Sequence, residues 1–507
     1  MLGGSSGINS HSLVFPNKAM HEAWAEMSGD DRWGWERIKH CYSRFQTEQQ
    51  HTFLGESSKT DGPVQASFPR KLSTLQKAWE AAFENLGASS VSDGPSGEAQ
   101  GGFTTRNAID SRPGQSIRSF ASNAYLDPVL GRQNLVVICG ANVEKIIFED
   151  NGHGGDGGLR AVGVIYEYAG KSTVATANRE VIVCAGAVGS PKILEHSGLG
   201  DKNFLEALGI RCLVDLPGVG ENLQDHLNFG PSVEVVPDIQ TLDAITRNPA
   251  AAAAVRREYD EHKTGPFAEG GAYSFAHWPL QLFNTQDENN EIQALLQSSP
   301  SCENECVNLQ HRFIDNMILD GGEGSATVFL VEKQRYTTPS DPAPGNYMSI
   351  LAMLSHPYSR GSCHIRSADW RQQPLIDCAY LSHPLDIEIL ARHVLQIDKL
   401  LAQDALAGMQ KNNGHRLPIK ADLRTLKGVK EAIRGFGATN YHLCGTCAML
   451  RDGLKSGVVN GALPVRGTTN LRVCDASVFP IIPRGNILSS VYAVAEKASE
   501  FLIERYN

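Results

Sequence analysis

The sequence predicts an α/β protein of more than one domain, and three observations support this. The chain has 507 residues, which is enough for two or more domains and a large buried core. Val181–Ala185 is a short apolar run of the kind found in buried parallel strands. From Asn486 to the end, apolar residues recur at three- and four-residue spacing, so this segment is predicted to be an amphipathic helix.

The predicted parallel strand continues into a turn and a helix. Gly186–Gly189 is a turn of small residues, Ser190 occupies an N-cap position, and Pro191 suits the first helical position. The helix is predicted over Lys192–Ser197, and Gly198 suits the position after its end. Such a connection can bring free backbone N–H groups close to an anionic ligand, although a plain strand–helix turn has the same spacing.

A β-hairpin is predicted before this strand. Asn134–Cys139, Val143–Phe148 and Leu159–Tyr168 are predicted strands. Gly152–Gly157 matches G-x-G-x-x-G, but a strand rather than a helix follows, so we interpret it as a hairpin tip. Gly3–Gly7 matches the G-x-S-x-G pattern of hydrolases, but no core strand leads into it, which argues against a nucleophile elbow.

Composition and charge narrow the class of protein. A net charge of −10 argues against a nucleic-acid partner or a basic membrane-binding face. No apolar stretch approaches the roughly 18 residues needed to span a bilayer. Eleven cysteines, an odd number, suit reduced thiols better than a disulfide framework. With no Asn-x-Ser/Thr site and no secretory signal at the start, these features favour an intracellular location.

Two cysteine pairs suggest redox or metal chemistry at first sight. Cys444 and Cys447 form a C-x-x-C beside His442, and Cys302 and Cys306 form a C-x-x-x-C. The spacing does not match a zinc ribbon, so no metal site is predicted. The favoured interpretation is that Cys444 and Cys447 pack in a loop, with redox chemistry as the alternative.

Four separated segments together resemble the glucose-methanol-choline (GMC) oxidoreductases, in particular fungal members similar to choline dehydrogenases and aryl-alcohol oxidases. All four occur in the order and at the spacing of that family. They are Leu2–Asn9; Gly186–Leu194 with Ser197–Gly200; Pro217–His226, which reads P-G-V-G-E-N-L-Q-D-H; and the C-terminal block His442–Thr446, Leu471–Pro480 and Gly485–Asn486.

The resemblance implies a Rossmann-like FAD-binding domain and an α+β substrate domain built on an antiparallel sheet. The FAD domain is expected over 1–54, 112–227 and 436–507, and the substrate domain over 55–111 and 228–435. In the family, a first strand, a G-x-G-x-x-G turn and an acidic residue precede the first segment and hold the adenosine half of FAD. We therefore expect the FAD domain to be incomplete at its N-terminus, through an incomplete gene model or a shortened product.

The resemblance also implies a reaction. Oxidation of an alcohol requires loss of the hydroxyl proton as hydride leaves carbon for flavin N5, and a neutral imidazole is suited to take that proton. The family places this base at His442. The partner position, His or Asn in the family, is Asn486, whose amide can donate a hydrogen bond to the developing alkoxide. A small alcohol is the expected substrate, with oxygen or another compound as electron acceptor.

Further positions are expected to contact FAD by resemblance. Two departures from the family pattern are Ile487, where proline is common, and Asn460, where aspartate is common. The first alters the expected backbone geometry at the flavin, and the second the local packing. The expected cofactor-binding residues are Gly4, Ser5, Ser6, Asn9, Val143, Asp475, Ala476 and Ile487.

Two other functions stay open at this point. The family includes hydroxynitrile lyases, which bind flavin without using its redox chemistry. A non-catalytic form is the second alternative, because of the expected loss of the nucleotide-binding unit. The sequence leaves the identity of the substrate open, since the segment of weakest resemblance, 233–347, supplies the pocket.

Overall fold

The computed structural model has the predicted α/β architecture. It describes residues 1–49, 60–88, 96–98, 100–149, 158–298, 304–336, 344–419 and 421–507. The α-helices are α1 (Lys18–Ser28), α2 (Trp35–Arg44), α3 (Thr74–Asn85), α4 (Gly186–His196), α5 (Lys202–Ala207), α6 (Leu242–Arg247), α7 (Pro249–His262), α8 (Gln286–Gln297), α9 (Glu305–Leu319), α10 (Pro384–Leu401), α11 (Asp404–Ala407), α12 (Leu426–Phe436) and α13 (Leu488–Tyr506).

The strands form one large sheet and several small ones. They are β1 (Ser12–Leu13), β2 (Gln46–Glu48), β3 (Val64–Ala66), β4 (Gly101–Thr104), β5 (Arg106–Asn107), β6 (Ile109–Asp110), β7 (Ile117–Arg118), β8 (Ala141–Phe148), β9 (Ala161–Tyr168), β10 (Lys171–Thr176), β11 (Val181–Val183), β12 (Leu199–Gly200), β13 (Val214–Asp215), β14 (Leu227–Phe229), β15 (Ser232–Glu234), β16 (Ser274–Trp278), β17 (Ala326–Val331), β18 (Tyr347–Leu354), β19 (Ser362–His364), β20 (Leu375–Asp377), β21 (Arg416–Leu417), β22 (Ala438–Thr439) and β23 (Leu471–Val473).

The largest sheet is antiparallel and has eight strands. Its main order is β21-β15-β18-β17-β16-β4, and β14 joins it by pairing with both β18 and β22. Every residue of β16 and β18 is buried, so both faces of these central strands are covered. This explains why, apart from His277, they are continuous apolar or small-residue runs rather than an apolar–polar alternation. The sheet confirms the predicted antiparallel substrate part of the fold.

The Rossmann-like part contains the predicted parallel strand. β11 pairs in parallel with β23, with Val183 opposite Val473, and α4 follows β11 directly. The predicted hairpin is also present: β8 and β9 pair antiparallel, and β10, which was not predicted, adds a third strand. The G-x-G-x-x-G stretch at its tip lies outside the described residues.

The predicted strand at Asn134–Cys139 is wrong. These residues form no strand, and the apolar side chains of Val136 and Ile138 are 80% and 47% exposed. An apolar run becomes a strand only where a neighbouring strand can take up its backbone hydrogen bonds, and no described strand pairs with this segment.

The predicted start of the helix after β11 is also wrong. α4 begins at Gly186, whose φ is 78°, so Ser190 is not the N-cap and Pro191 lies inside the helix. Proline has no N–H to donate to the carbonyl four residues earlier, which here belongs to Ala187. The hydroxyl of Thr446 donates to that carbonyl at 2.7 Å. A distant side chain thus replaces the missing helical hydrogen bond, and Pro191 is accommodated in mid-helix.

The C-terminal helix is close to its predicted extent and packs into the main core. α13 runs over Leu488–Tyr506 and buries its apolar face against α2. Phe501 contacts the ring of Trp33 edge-on, with the ring centroids 6.0 Å apart. Within the described part of the chain, no helix is both long and apolar enough to cross a lipid bilayer.

A partly buried ion pair connects α4 to the β19 strand. His364 contacts Glu195 at 2.6 Å through Nδ1 and Glu221 at 3.1 Å through Nε2. Burial alone would lower the pKa of His364, but the hydrogen bonds to Glu195 and Glu221 outweigh it and raise the pKa to about 9. His364 is therefore protonated in the folded protein at neutral pH.

This pair makes the stability of the fold depend on pH. A histidine whose folded pKa lies above its unfolded value stabilises the fold fully below about pH 6.5, and this contribution disappears as the pH rises through about 9. We expect the stability difference between wild type and His364→Gln to shrink by about 2 kcal/mol over that window, measured by urea unfolding. The exposed His262→Gln is the matched control, and a constant difference across the window would contradict the prediction.

Candidate active site

The loop after β22 carries His442 into the interior. Tyr441, just before it, has a φ of 61° and is 83% exposed, whereas His442 is only 7% exposed. The turn therefore points one side chain outward and the next one inward. The backbone N–H of His442 donates to Oδ1 of Asp225 at 2.7 Å, which fixes the loop against the segment that leads into β14.

His442 lies between two polar side chains. Its Nε2 is 3.3 Å from the amide nitrogen of Asn486, and its Nδ1 is 2.9 Å from Nδ1 of His226. The rings of His226 and His442 meet edge-on, with an interplanar angle of 88°. The structure therefore brings together His442 and Asn486, the two residues predicted to be catalytic, and adds His226.

Burial keeps this histidine pair neutral. Desolvation, and then the nearby His226, lower the pKa of His442 well below its ordinary value of 6.5. Burial likewise lowers the pKa of His226. A neutral imidazole has one nitrogen with a free lone pair, so His442 has the protonation state that a proton acceptor needs.

Asn486 lies directly before the last helix. Ile487, which is buried, is the N-cap of α13, and no side chain caps the helix there. The first N–H groups of a helix have no partner inside the helix, and the helix dipole makes this end positive. The start of α13 is therefore suited to stabilise negative charge next to Asn486.

Asp475 and Ala476 connect β23 to the start of α4 and to the His442 loop. Oδ2 of Asp475 accepts from the backbone N–H of Gly186 at 2.9 Å and from the hydroxyl of Ser190 at 2.5 Å. The carbonyl of Ala476 accepts from the backbone N–H of Gly445 at 3.1 Å. These contacts place the predicted cofactor residues 475 and 476 at the carboxyl ends of β11 and β23, the usual ligand-binding edge of a parallel sheet.

The N-terminal loop is held by one arginine. Gly4–Gly7 is a single 3₁₀ turn, and Ser6 accepts from the backbone N–H of Ala121 at 3.1 Å. Arg118 donates to the carbonyl of Ser6 and to the side-chain oxygen of Asn9, at 3.1 and 2.9 Å. Ser6 is buried, while Gly4 and Ser5 are exposed.

Val143 stands apart from these groups. It pairs with Tyr166 in the β8–β9 hairpin, and its side chain is 39% exposed. Among the described residues, no hydrogen bond links Val143 to the N-terminal loop or to Asp475. Its predicted contact with adenine stays a prediction.

The two cysteines of the C-x-x-C are packed in the core. Cys444 and Cys447 have no exposed surface, and burial raises the pKa of both thiols well above the ordinary value. A buried, protonated thiol is a poor nucleophile and a poor redox group. The ten cysteines within the described ranges are all free thiols.

A row of phenylalanine side chains lies across the large sheet. Phe103, Phe275 and Phe329 are cross-strand neighbours on β4, β16 and β17, with successive ring centroids 6.3 and 5.6 Å apart. We call these three residues the phenylalanine row. They belong to a small apolar cluster separate from the main core, which also contains Val14. A Cβ on Gly485, the residue before Asn486, would lie only 2.4 Å from Val14.

The donor groups of this region fit FAD. No side chain of its N-cap residue caps α13, so its first backbone N–H groups are available for an anionic flavin, whereas at the start of α4 the N–H of Gly186 already donates to Asp475. A Cβ built on Gly4 or on Gly186 would meet no atom within 4 Å, so the backbone is accessible at both places. Ser5 and Asn9 add hydroxyl and amide groups near the first of them. When bound, FAD supplies the two-electron oxidising chemistry that these side chains lack.

Sequence reasoning assigned no role to Asp225 and His226. Both lie in the quoted segment Pro217–His226, but 216 residues separate His226 from His442. Asp225 accepts from the backbone N–H of His226 and of His442, and from the hydroxyls of Tyr380 and Thr439. No local pattern could reveal an acceptor whose donors are this far apart, and the only available signal was the motif itself.

Fold and site together define a flavin-dependent oxidoreductase. The N-terminal and C-terminal GMC oxidoreductase family models match residues 1–228 and 357–495. The chain belongs to the GMC oxidoreductase family, and its cofactor is FAD.

Similar proteins come mainly from fungi. The chain is 30% identical to dehydrogenase mpl7 of Monascus purpureus, over 99% of this chain and 83% of that protein. It is 31% identical to the GMC oxidoreductase family protein Mala s 12 of Malassezia sympodialis, over 99% and 79%. An FAD-dependent oxidoreductase from Chaetomium thermophilum shares the fold at a TM-score of 0.85 and 24% identity, over 99% and 86% of the two chains. A fungal aryl-alcohol oxidase shares the fold at a TM-score of 0.84 and 24% identity, over 100% of this chain and 84% of that chain.

Proposed function

We propose that this protein oxidises the CH–OH group of a small alcohol, with His442 as the base and Asn486 as its hydrogen-bonding partner. The observation that carries the proposal is the distance of 3.3 Å between Nε2 of the buried, neutral His442 and the amide of Asn486, directly before the uncapped start of α13. This combines a proton acceptor, a hydrogen-bond donor and a positive helix end at one place.

Each group has a distinct task in the proposed reaction. Nε2 of His442 would accept the proton from the hydroxyl oxygen of the alcohol, and bound FAD would supply the acceptor for the hydride that leaves the carbinol carbon, so that the substrate becomes a carbonyl compound. The amide of Asn486 donates a hydrogen bond to the substrate oxygen as negative charge develops on it. Burial excludes water, which strengthens both interactions.

The proposed cofactor contacts follow the same arrangement. Gly4, Ser5, Ser6 and Asn9 would contact FAD from the N-terminal loop, and Val143 would contact it from β8. Asp475 and Ala476 would hold it at the end of β23. Ile487 would place the start of α13 against the flavin ring, where the helix dipole offsets charge on the reduced cofactor.

The phenylalanine row favours an apolar alcohol. The apolar cluster that contains the phenylalanine row also contains Val14, which lies against Gly485, the residue before Asn486, and this cluster has no hydrogen-bonding groups for a sugar. We therefore infer that alcohols with an aromatic or aliphatic body are better substrates than polyols. The relative described as an aryl-alcohol oxidase is consistent with this inference.

The test is an anaerobic titration of the purified yellow protein with a panel of aromatic, aliphatic and sugar alcohols. Bleaching of the flavin by an aromatic or aliphatic alcohol, with stoichiometric carbonyl product, supports the proposal. If no alcohol bleaches the flavin but a cyanohydrin is cleaved, the protein is a lyase on the same scaffold. Preferential bleaching by sugars would contradict the inference from the phenylalanine row.

The pH dependence of flavin bleaching tests the protonation state of His442. Because burial lowers the pKa of His442, this residue stays neutral in mildly acidic solution. We expect the rate at saturating alcohol to be constant from about pH 8 down to about pH 6.5, and to fall only at lower pH. Stopped-flow absorbance at each pH measures this rate, and the flavin spectrum before mixing verifies that FAD is still bound. A decline centred above pH 6.5 would contradict the prediction.

A further inference from the structure

The environment of His226 has a fixed hydrogen-bond direction. This ring is fully buried, and its Nε2 lies 2.9 Å from the backbone carbonyl of Ser355, directly after β18. A carbonyl oxygen can only accept, so Nε2 of His226 must carry a proton. The ring is neutral because burial lowers its pKa, and its Nδ1 therefore has a free lone pair.

That lone pair determines where the proton of His442 lies. Nδ1 of His226 is 2.9 Å from Nδ1 of His442, and two lone pairs cannot face each other at that distance. Nδ1 of His442 must therefore donate, which leaves Nε2 of His442 without a proton. Nε2 is the nitrogen that faces the amide of Asn486. One chain of hydrogen bonds thus runs from His442 through His226 to Ser355.

Asn486 alone could not determine which ring nitrogen of His442 carries the proton. A side-chain amide presents a donor on one side and an acceptor on the other, and it can rotate to suit either tautomer of a neighbouring histidine. The carbonyl of Ser355 has no such freedom. Asp225 further fixes the backbone at both histidines, because its Oδ1 accepts the N–H groups of His226 and His442 at 2.8 and 2.7 Å.

We propose that His226 is a positioning residue, which holds His442 as the Nδ1–H tautomer so that its Nε2 can accept the proton of the alcohol. This proposal rests on the proposed function of His442. His226 acts here as an orienting carboxylate acts on the histidine of a hydrolase triad, but without charge. When His442 takes up the proton, its Nδ1–H continues to donate to His226, so no hydrogen bond has to change direction.

The decisive measurement is a neutron diffraction map of the deuterated holoenzyme. We expect deuterium on Nδ1 of His442 and on Nε2 of His226, and none on Nε2 of His442. Deuterium on Nε2 of His442 would overturn the proposal. This readout does not depend on turnover, so it remains decisive even if no alcohol proves to be a substrate.

Variants test the consequence for the rate. His226→Leu keeps a similar volume but removes the acceptor, and we expect flavin bleaching to slow by about 10–100-fold with FAD retained. His226→Asn keeps an oxygen near the position of Nδ1 and should recover part of the rate. His21→Leu is the matched control, because His21 is equally buried and also contacts a backbone carbonyl, that of Trp33, away from the site.

Combining substitutions at His226 and His442 distinguishes a positioning role of His226 from a general loss of stability. Since His226 acts through His442, His226→Leu should cause no further loss of rate in a His442→Ala background. A further loss there, or a wild-type rate in His226→Leu alone, would overturn the proposal. If His226→Leu fails to retain FAD, the neutron map of the wild-type protein still decides the question.

Discussion

Replacing His442 with alanine is expected to slow the reduction of the flavin by alcohol by about 10²–10⁴-fold while FAD stays bound. The Nε2 atom of His442 has the free lone pair that faces the amide of Asn486, and alanine leaves no side chain at this position to take the proton. The measurement is the rate of anaerobic bleaching at saturating alcohol, compared with the absorbance of bound flavin.

A matched variant excludes a general effect of losing a histidine. His415→Ala removes an exposed histidine on the loop before β21, and it should bleach at the wild-type rate. An unchanged rate in His442→Ala would remove His442 from the mechanism. Loss of FAD in that variant would instead assign His442 to cofactor binding.

Replacing Asp225 with alanine is expected to lower the free energy of unfolding by about 3–5 kcal/mol, the largest effect on stability that we foresee. This carboxylate is 4% exposed and accepts from two backbone N–H groups and two hydroxyls. Alanine would leave all four donors without their acceptor in the interior. Burial and the nearby carboxylate raise the pKa of Tyr380, so its hydroxyl remains a donor at every ordinary pH.

Two further variants calibrate this result. Asp225→Asn keeps one acceptor oxygen for the two backbone N–H groups, so we expect a smaller loss of about 1–2 kcal/mol. Asp452→Ala removes a carboxylate whose side chain is 98% exposed and should change the stability by no more than about 0.5 kcal/mol. Urea unfolding followed by tryptophan fluorescence compares all three. Equal stability of Asp225→Ala and Asp452→Ala would show that the stability of the fold does not depend on the carboxylate of Asp225.

Local patterns predicted those parts of the fold that a short segment specifies through its own periodicity or composition. α13 was found because its apolar residues repeat with the helical period, and β11 because a short apolar run has few alternatives between turns. His442 and Asn486 were found through motif segments 44 residues apart, and the structure places them in contact. Their roles depend on chemistry that no periodicity contains, and these roles remain predictions.

The errors and omissions have a common physical origin. Val136 and Ile138 have the apolar character of a strand, but pairing depends on a neighbour that a single segment does not specify. The predicted helix start is too late because proline normally occupies the first turn of a helix. Here the hydroxyl of Thr446 donates to the carbonyl of Ala187, to which Pro191 cannot donate, so the proline lies inside the helix. The role of His226 depends on the carbonyl of Ser355, a backbone atom with no signature in the sequence. In each case the outcome depends on whether a hydrogen-bond partner from a distant part of the chain is present.

The hydrogen bond from Thr446 to Ala187 has an evolutionary consequence. It joins the loop of the proposed base to the helix that follows β11, and it is needed because Pro191 cannot donate an N–H. With any residue other than proline at position 191, the backbone N–H of that residue could also donate to the carbonyl of Ala187, which has two lone pairs, so the helix would no longer depend on the threonine hydroxyl. A hydroxyl at position 446 should therefore be retained wherever proline is kept at position 191, and it should be free to vary once that proline is lost.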